Sequence, residues 1–221
     1  MFDSSTINMI LTGILDTLIM VFLSTLFGYL FGLPLGIALF AFDKDGIKPN
    51  KTIYRILDIL VNVGRSIPFL ILLILIIPFT RLIVGKSYGT MATVVPLTVS
   101  AIPFIGRMVE SSLKEVDKGV IEAAQSMGAS NFTIILRVLL SEARPSLING
   151  ATICLGTIVG YSAMAGTVGG GGLGDIAIRY GYYRYDTGIM IVTVIIIILL
   201  VQLFQAIGNK LSKSLDKRKN I

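Results

Sequence analysis

Five long apolar runs occupy most of this 221-residue chain, and they restrict its fold more than any other feature. Each run approaches or exceeds the roughly 20 residues that a helix needs to cross the hydrocarbon core of a bilayer. Charged residues make up only 14% of the chain, well below the roughly 25% of soluble domains. We therefore predict an all-α polytopic membrane protein that forms a single domain over residues 1–221. The predicted transmembrane helices are residues 17–42, 56–80, 87–110, 134–168 and 187–209.

Lys and Arg residues are concentrated on one side of the predicted spans. The loops after spans one and three and the C-terminal tail carry most of them, whereas the loops after spans two and four carry few. Because basic residues collect on the cytoplasmic side of a membrane, we predict an outside N-terminus and a cytoplasmic C-terminus. This role accounts for the net charge of +6, so we predict no nucleic-acid partner. The basic residues of the predicted tail are Lys210, Lys213, Lys217, Arg218 and Lys219.

The residue types that build common catalytic and metal sites are scarce. The chain has no His and one Cys, Cys154, which excludes the usual zinc sites, His-based triads and His proton relays. Two nucleotide-binding patterns also fail. Gly85-Lys86-Ser87 lacks the Gly that a P-loop needs five positions earlier, and the glycines from Gly169 to Gly174 do not follow a soluble strand. We predict no catalytic, cofactor or metal site in this chain, and hence no enzyme.

Ionisable residues lie near the ends of the predicted spans rather than at their centres. Asp58, Glu110 and Arg144 are examples, and solvation at the interface lowers the energetic cost of a charge at such positions. A transporter driven by an ion gradient normally needs a carboxylate near the membrane midplane. That class stays open as an alternative, although the sequence gives it little support.

Small residues recur at every fourth position in two of the predicted spans. Such a ridge lets helix backbones approach closely in lipid, and it predicts tight packing within or between subunits. The glycines concerned are Gly28, Gly32 and Gly36 in the first span and Gly156 and Gly160 in the fourth.

A short helix is predicted over residues 118–128, in the third loop on the cytoplasmic side. Asp117 is a suitable N-cap, Gly128 a suitable residue just after the helix, and Ser130 a suitable cap for the next helix. At about 15 Å the helix is too short to cross a membrane. Val120, Ile121, Ala124 and Met127 fall close to one face. Small side chains anchor a helix poorly in lipid, so this face is suited to a groove on a protein partner.

The same stretch carries a family resemblance. Glu122-Ala123-Ala124, with Gly128 four positions later and the aliphatic Val138-Leu139-Leu140 beyond it, resembles the EAA motif of ABC importer permeases. The resemblance implies that residues 118–128 form a coupling helix that docks into a cleft of an ATPase subunit. The family's usual Pro after the aliphatic triplet is Ser141 here. The implied coupling residues are Glu122, Ala123, Ala124, Gln125, Met127 and Gly128.

Across nearly the whole chain, the sequence resembles the methionine permeases within that family more narrowly. The stretches concerned are residues 65–69, 77–81, 103–110 and 160–164. The resemblance implies an ATP-driven importer in the bacterial cytoplasmic membrane that translocates an amino acid, methionine, by alternating access; another small amino acid or related solute is the alternative. It also implies a homodimer, two ATP-binding subunits that hold ATP and Mg²⁺, and an extracytoplasmic substrate-binding protein.

The Gly-rich end of the fourth predicted span is a candidate gate. Irregular backbone at membrane depth occurs only where protein or a water-filled cavity satisfies its polar groups. We therefore predict that Gly169 and Gly170 lie at a gate or pathway. Met164 lies beside this run and is a third candidate, which the family resemblance also suggests; a role in packing is an equal alternative for this flexible apolar side chain.

Overall fold

A computed structural model describes residues 3–215 of the chain, and every regular element in this range is a helix. The predicted all-α fold is confirmed for these residues. The α-helices are α1 (Ser4–Phe42), α2 (Lys51–Ser66), α3 (Phe69–Leu75), α4 (Ile77–Val84), α5 (Thr90–Lys114), α6 (Lys118–Ser126), α7 (Asn131–Thr133), α8 (Leu140–Glu142), α9 (Arg144–Ala165), α10 (Gly172–Ile176) and α11 (Thr187–Leu215). Two π-helical turns, Ile134–Leu139 and Ala177–Tyr182, and a 3-10 turn, Gly166–Val168, connect them. Lys217, Arg218 and Lys219 of the predicted basic tail lie outside the described residues.

Four of the described helices are long and apolar enough to cross a membrane: α1, α5, α9 with the 3-10 turn that follows it, and α11. Helices α2 and α3 form a bent pair that counts as a fifth candidate if it crosses as one span. The bend falls at Ile67 and Pro68, because proline lacks an N–H donor and disfavours helical conformation in the residue before it. The predicted span over residues 56–80 is therefore divided among α2, α3 and α4.

The described residues divide into two compact units. Unit one consists of residues 3–28, Ile67–Ala101 and Leu155–Phe204, and unit two consists of Tyr29–Ser66, Ile102–Cys154 and residues 205–215. Aromatic contacts support unit one: the rings of Phe69 and Tyr161 stack with their centroids 4.6 Å apart, and those of Phe22 and Phe204 meet edge to face at 5.7 Å.

In unit two, the backbones of α1 and α5 approach closely. A Cβ atom added at Gly32 would lie 2.8 Å from the Cβ of Ile105, and one at Gly36 would lie 2.5 Å from the carbonyl oxygen of Gly106. Since neither position has room for a side chain, the predicted ridge of small residues is confirmed at these two glycines. Gly160 of α9 differs, because a Cβ atom there would meet nothing within 4 Å among the described residues.

Candidate functional site

Helix α6 in unit two carries the predicted coupling residues, and its two ends are fixed by local hydrogen bonds. The backbone N–H of Gly119 donates to Oδ1 of Asp117 at 2.7 Å, which caps the N-terminus. Gly128 has a φ of 78°, in the left-handed region that glycine favours. Its N–H donates to the carbonyl oxygen of Gln125 at 2.9 Å and so closes the C-terminus. The predicted caps at Asp117 and Ser130 are confirmed, since the hydroxyl of Ser130 accepts from the N–H of Thr133 at 3.3 Å.

The predicted coupling residues do not all face the same way. Ala124 is only 5% exposed and is buried within the chain, whereas Met127 is 81% exposed. Glu122, Ala123, Gln125 and Gly128 are exposed as well. Helix α6 packs against the π-helical turn Ile134–Leu139. Ala124 therefore belongs to the support of the helix, and the other five residues form its free surface.

Sequence reasoning missed two apolar side chains that accompany this surface. Phe132 is 71% exposed, and Leu136 on the following π-helical turn is also exposed. Together with Val120 and Met127, they leave large apolar side chains uncovered within one short stretch of unit two. Exposed apolar groups of this kind mark interaction sites. The sequence offered one signal, a Phe two residues after the Ser130 cap and hence on the first turn of α7.

An ionic network in unit two surrounds a buried carboxylate. The side chain of Glu110 is 2% exposed, and its two oxygens accept from Arg107 Nη1 and Lys114 Nζ, each at 2.7 Å. The hydroxyl of Tyr54 on α2 donates to the same carboxylate at 3.3 Å. The sequence alone predicts that Glu110 is a charge solvated near the end of a span. The structure corrects this, because Glu110 lies inside the protein and is balanced by two cations rather than by water.

The network extends from Glu110 to two other parts of the chain. Arg107 also donates to the carboxylate of Asp58 on α2. Lys114 Nζ lies 2.7 Å from Oδ2 of Asp43, the first residue after α1. Burial raises the pKa of the Asp43 carboxyl, but the hydrogen bonds and charges of Lys114 and Lys44 together outweigh this and hold that pKa below its ordinary value. We call Asp43, Asp58, Arg107, Glu110 and Lys114 the ionic network. Among residues 3–215, no group of three or more His, Cys, Asp and Glu side chains is arranged to hold a metal ion.

The gate candidates Gly169 and Gly170 lie in unit one, where protein groups satisfy their backbone. The carbonyl oxygen of Gly169 accepts from the N–H of Gly89 at 2.9 Å, and that of Gly170 accepts from the hydroxyl of Thr93 at 3.1 Å. Gly169 has a φ of 77°. Met164, on the last turn of α9, is 50% exposed. The segment at Gly169 and Gly170 is therefore a turn held by hydrogen bonds. Of the three gate candidates, Met164 is the one with an exposed side chain.

The same segment leaves no space at two further glycines. A Cβ atom added at Gly166 would overlap the backbone of Gly174 and Asp175, and one at Gly174 would overlap the backbone of Ala163. Nearby, the N–H of Leu173 donates to the hydroxyl of Thr17 on α1 at 2.9 Å. Backbone in contact with backbone cannot move aside as a flexible side chain can, so this packing requires glycine.

Comparison with known proteins identifies the family to which the chain belongs. A family model described as the binding-protein-dependent transport system inner membrane component matches residues 28–218. The chain belongs to this transport family. The resemblance inferred from the EAA motif is confirmed at the level of the family, and the chain is a multi-pass component of the bacterial cytoplasmic membrane.

Individual members of the transport family are similar over most of their length. The chain is 53% identical over 211 residues to a probable D-methionine transport system permease protein of Vibrio cholerae, covering 96% of this chain and 94% of the relative. It is 51% identical over 158 residues to the D-methionine transport system permease protein of Escherichia coli K12, covering 72% and 73%. A solved chain of the MetNI methionine ABC transporter in inward-facing conformations superposes with a TM-score of 0.96 at 45% identity, covering 98% of this chain and 100% of that one.

Proposed function

We propose that this chain is the permease subunit of an ATP-driven importer that moves methionine across the cytoplasmic membrane by alternating access. The 53% identity to a relative described as a D-methionine permease supports the substrate. The exposed surface of α6, built on the buried Ala124, is the single observation that carries the mechanism. The chain works with a second copy of itself, two ATP-binding subunits, a substrate-binding protein on the outer side and membrane lipid.

In this proposal the chain has no catalytic site of its own; it forms the pathway for the substrate and changes conformation to open and close it. The ATP-binding subunits hold ATP and Mg²⁺, and their closure displaces α6 through Glu122, Ala123, Gln125, Met127 and Gly128. The single transmembrane domain has five spans, with α2, α3 and α4 forming the second, and with an outside N-terminus and a cytoplasmic C-terminus. The distribution of Lys and Arg supports this orientation.

Met164, with Gly169 and Gly170 beside it, is the proposed gate. Its half-exposed thioether side chain is apolar and adaptable. Such a side chain suits a constriction that closes when the pathway is empty and opens when an amino acid passes. The hydrogen-bonded turn at Gly169 and Gly170 gives that side chain a fixed base.

Reconstitution tests the proposed function. The complete transporter in lipid vesicles, supplied with its substrate-binding protein, is expected to take up labelled methionine only when ATP and Mg²⁺ reach the ATPase subunits. An ionophore should leave this uptake unchanged. Uptake that persists without ATP and collapses with the ionophore would instead identify an ion-gradient transporter. Faster uptake of another amino acid in the same assay would show that this amino acid, rather than methionine, is the substrate.

Two neighbouring alanines give a prediction about α6. Ala123→Asp is expected to fold normally, because position 123 is exposed, but to lower ATP-dependent uptake by about tenfold or more by placing a charge at an apolar contact. Ala124→Asp is expected to destabilise the chain itself by about 3 kcal/mol, since it buries an unpaired carboxylate.

Co-purification separates the two alanine variants. Ala123→Asp should yield a normal amount of folded chain that no longer retains the ATP-binding subunits, whereas Ala124→Asp should reduce the amount of folded chain. A folded Ala123→Asp chain that still binds the ATPase and transports normally would contradict the assignment of this surface.

A further inference from the structure

We propose that Lys114 is a positioning residue that ties the base of α6 to the turn between α1 and α2, so that a displacement of α6 reaches α2 through the ionic network. This inference rests on the proposed function, in which α6 is the element that the ATPase moves. In this proposal the ionic network helps to couple ATP hydrolysis to transport, in addition to stabilising the fold.

Lys114 stands at the point where two segments meet. It is the last residue of α5 and lies four positions before Lys118, the first residue of α6. Its ammonium group is 2.7 Å from Asp43 on the α1–α2 turn and 2.7 Å from Glu110 on its own helix. One side chain therefore joins the start of the turn to the segment that leads directly into α6.

An exposed ion pair joins α6 to the α1–α2 turn, and a cavity lies beside it. A cavity of about 330 Å³ lies between them, lined by Phe40, Gly46 and Ile121 among others. A direct link between α6 and the turn is the pair Lys118 Nζ and Asp45 Oδ1 at 3.2 Å. Both of its side chains are exposed, and such pairs contribute little. The pair of Lys114 and Asp43, which joins the end of α5 to the turn, is shorter at 2.7 Å, and its Asp43 side chain is only 14% exposed, so it is the stronger of the two connections.

The α1–α2 turn is stiff enough to carry a displacement. Its backbone is closed by hydrogen bonds from the N–H of Gly46 to the carbonyl oxygen of Asp43 at 2.9 Å and from the N–H of Lys48 to that of Ala41 at 2.9 Å. A further bond runs from the N–H of Asn50 to the carbonyl oxygen of Phe42 at 3.0 Å. Because the turn is internally bonded, a movement at Asp43 shifts the whole turn and the start of α2.

The two cations of the network suit different tasks. Arg107 holds α2 through Asp58 and through Asn62 Oδ1 at 2.9 Å, and its planar guanidinium fixes the geometry of these contacts. Lys114 carries a compact charge on a flexible stem, so it can keep both of its carboxylates while α6 changes position. The network thus has a rigid end at α2 and an adjustable end at the C-terminus of α5, just before α6, and the buried Glu110 joins the two ends.

The test measures coupling in the complete transporter. In vesicles, Lys114→Met is expected to assemble with the ATPase and to hydrolyse ATP, but to lower methionine uptake per ATP by about fivefold or more. Lys114→Arg keeps the charge but replaces the compact ammonium group with a rigid planar one, so it should restore part of the ratio. Lys44→Met is the matched control, because the exposed Lys44 ammonium group lies 4.0 Å from Asp45 in the same turn, and its backbone N–H still donates to Asp43 Oδ1 at 2.7 Å after the substitution; its ratio should equal that of the wild type.

Asp43→Asn provides a second variant with less risk of misfolding, since it leaves the pair of Lys114 and Glu110 in place. It should lower the ratio, because it removes the charge on the turn that attracts Lys114, and the double variant should be no worse than Lys114→Met alone, because Lys114→Met already removes that attraction. An assembled Lys114→Met or Asp43→Asn complex with the wild-type uptake per ATP would overturn the proposal.

A measurement without substrate separates this proposal from the proposed function. A spin label at Leu60→Cys on the exposed face of α2 should change its spectrum when ATP is added to the complete transporter; the native Cys154 is buried. Lys114→Met should abolish this change. Its loss supports the role of Lys114 whatever solute is carried, and its persistence in Lys114→Met overturns that role even if methionine uptake is confirmed.

Discussion

Replacing Glu110 with alanine is expected to lower the free energy of unfolding by about 3 kcal/mol. The side chain is 2% exposed and is the partner that Arg107 and Lys114 share. Without it, two cations face each other across a buried space, although Arg107 keeps Asp58 and Lys114 keeps Asp43. Because these partners remain, the expected loss of unfolding free energy is smaller than it would be if the substitution left a buried charge with no partner.

The stability of Glu110→Ala can be measured through the chain's own thiol. Cys154 is the only cysteine and is buried, so its reaction with a fluorogenic maleimide reports thermal unfolding of the purified chain. Glu115→Ala is the matched control, because Glu115 follows the same helix and is exposed; its effect should stay within about 0.5 kcal/mol. Equal unfolding midpoints for the two variants would show that the buried carboxylate contributes no stability.

Replacing Gly166 with alanine is expected to destabilise unit one by about 3 kcal/mol. The added Cβ atom would overlap the backbone of Gly174 and Asp175, and neither chain segment can turn aside. The overlap can be relieved only if the turn from Gly169 onward moves, and this movement would break the hydrogen bond between Gly170 and Thr93. We therefore expect loss of gating together with loss of stability.

Gly160→Ala is the control for this prediction, since it adds the same methyl group to the preceding helix. A Cβ atom at Gly160 meets nothing within 4 Å, and alanine is a better helix former than glycine by about 0.5 to 1 kcal/mol. The control should therefore unfold at the wild-type temperature or slightly above it. If Gly166→Ala unfolds at the same temperature as Gly160→Ala, the close approach at Gly166 is not required.

Features set by local sequence were the ones that could be predicted. Long apolar runs dictate helices in a membrane, and the caps of α6 follow from Asp117, Gly128 and Ser130, whose side chains or φ angles act on adjacent backbone. The bend before α3 also had a local signal in Pro68, but proline alone does not reveal whether a span kinks or is divided among three helices.

Features that depend on distant parts of the chain could not be predicted. Helical spacing put Ala124 on the same face as Met127, yet the packing of α6 on the following π-helical turn buries the first and exposes the second. The spacing of Arg107, Glu110 and Lys114 is typical of ion pairs on one helix. Only the fold brings Asp43 and Asp58 to them, and this is what turns a pair of local contacts into a network.

The glycines at positions 32 and 36 have a mechanical consequence. At both positions the space beside α1 is filled by the backbone of α5 and by the β-carbons of Ile105 and Val109, none of which moves when a side chain changes rotamer. In unit two, the C-terminal part of α1 and the facing part of α5 are thus in direct contact at these two positions. In the proposed mechanism, we therefore expect a force at the C-terminal end of α5 to displace these two helix segments together.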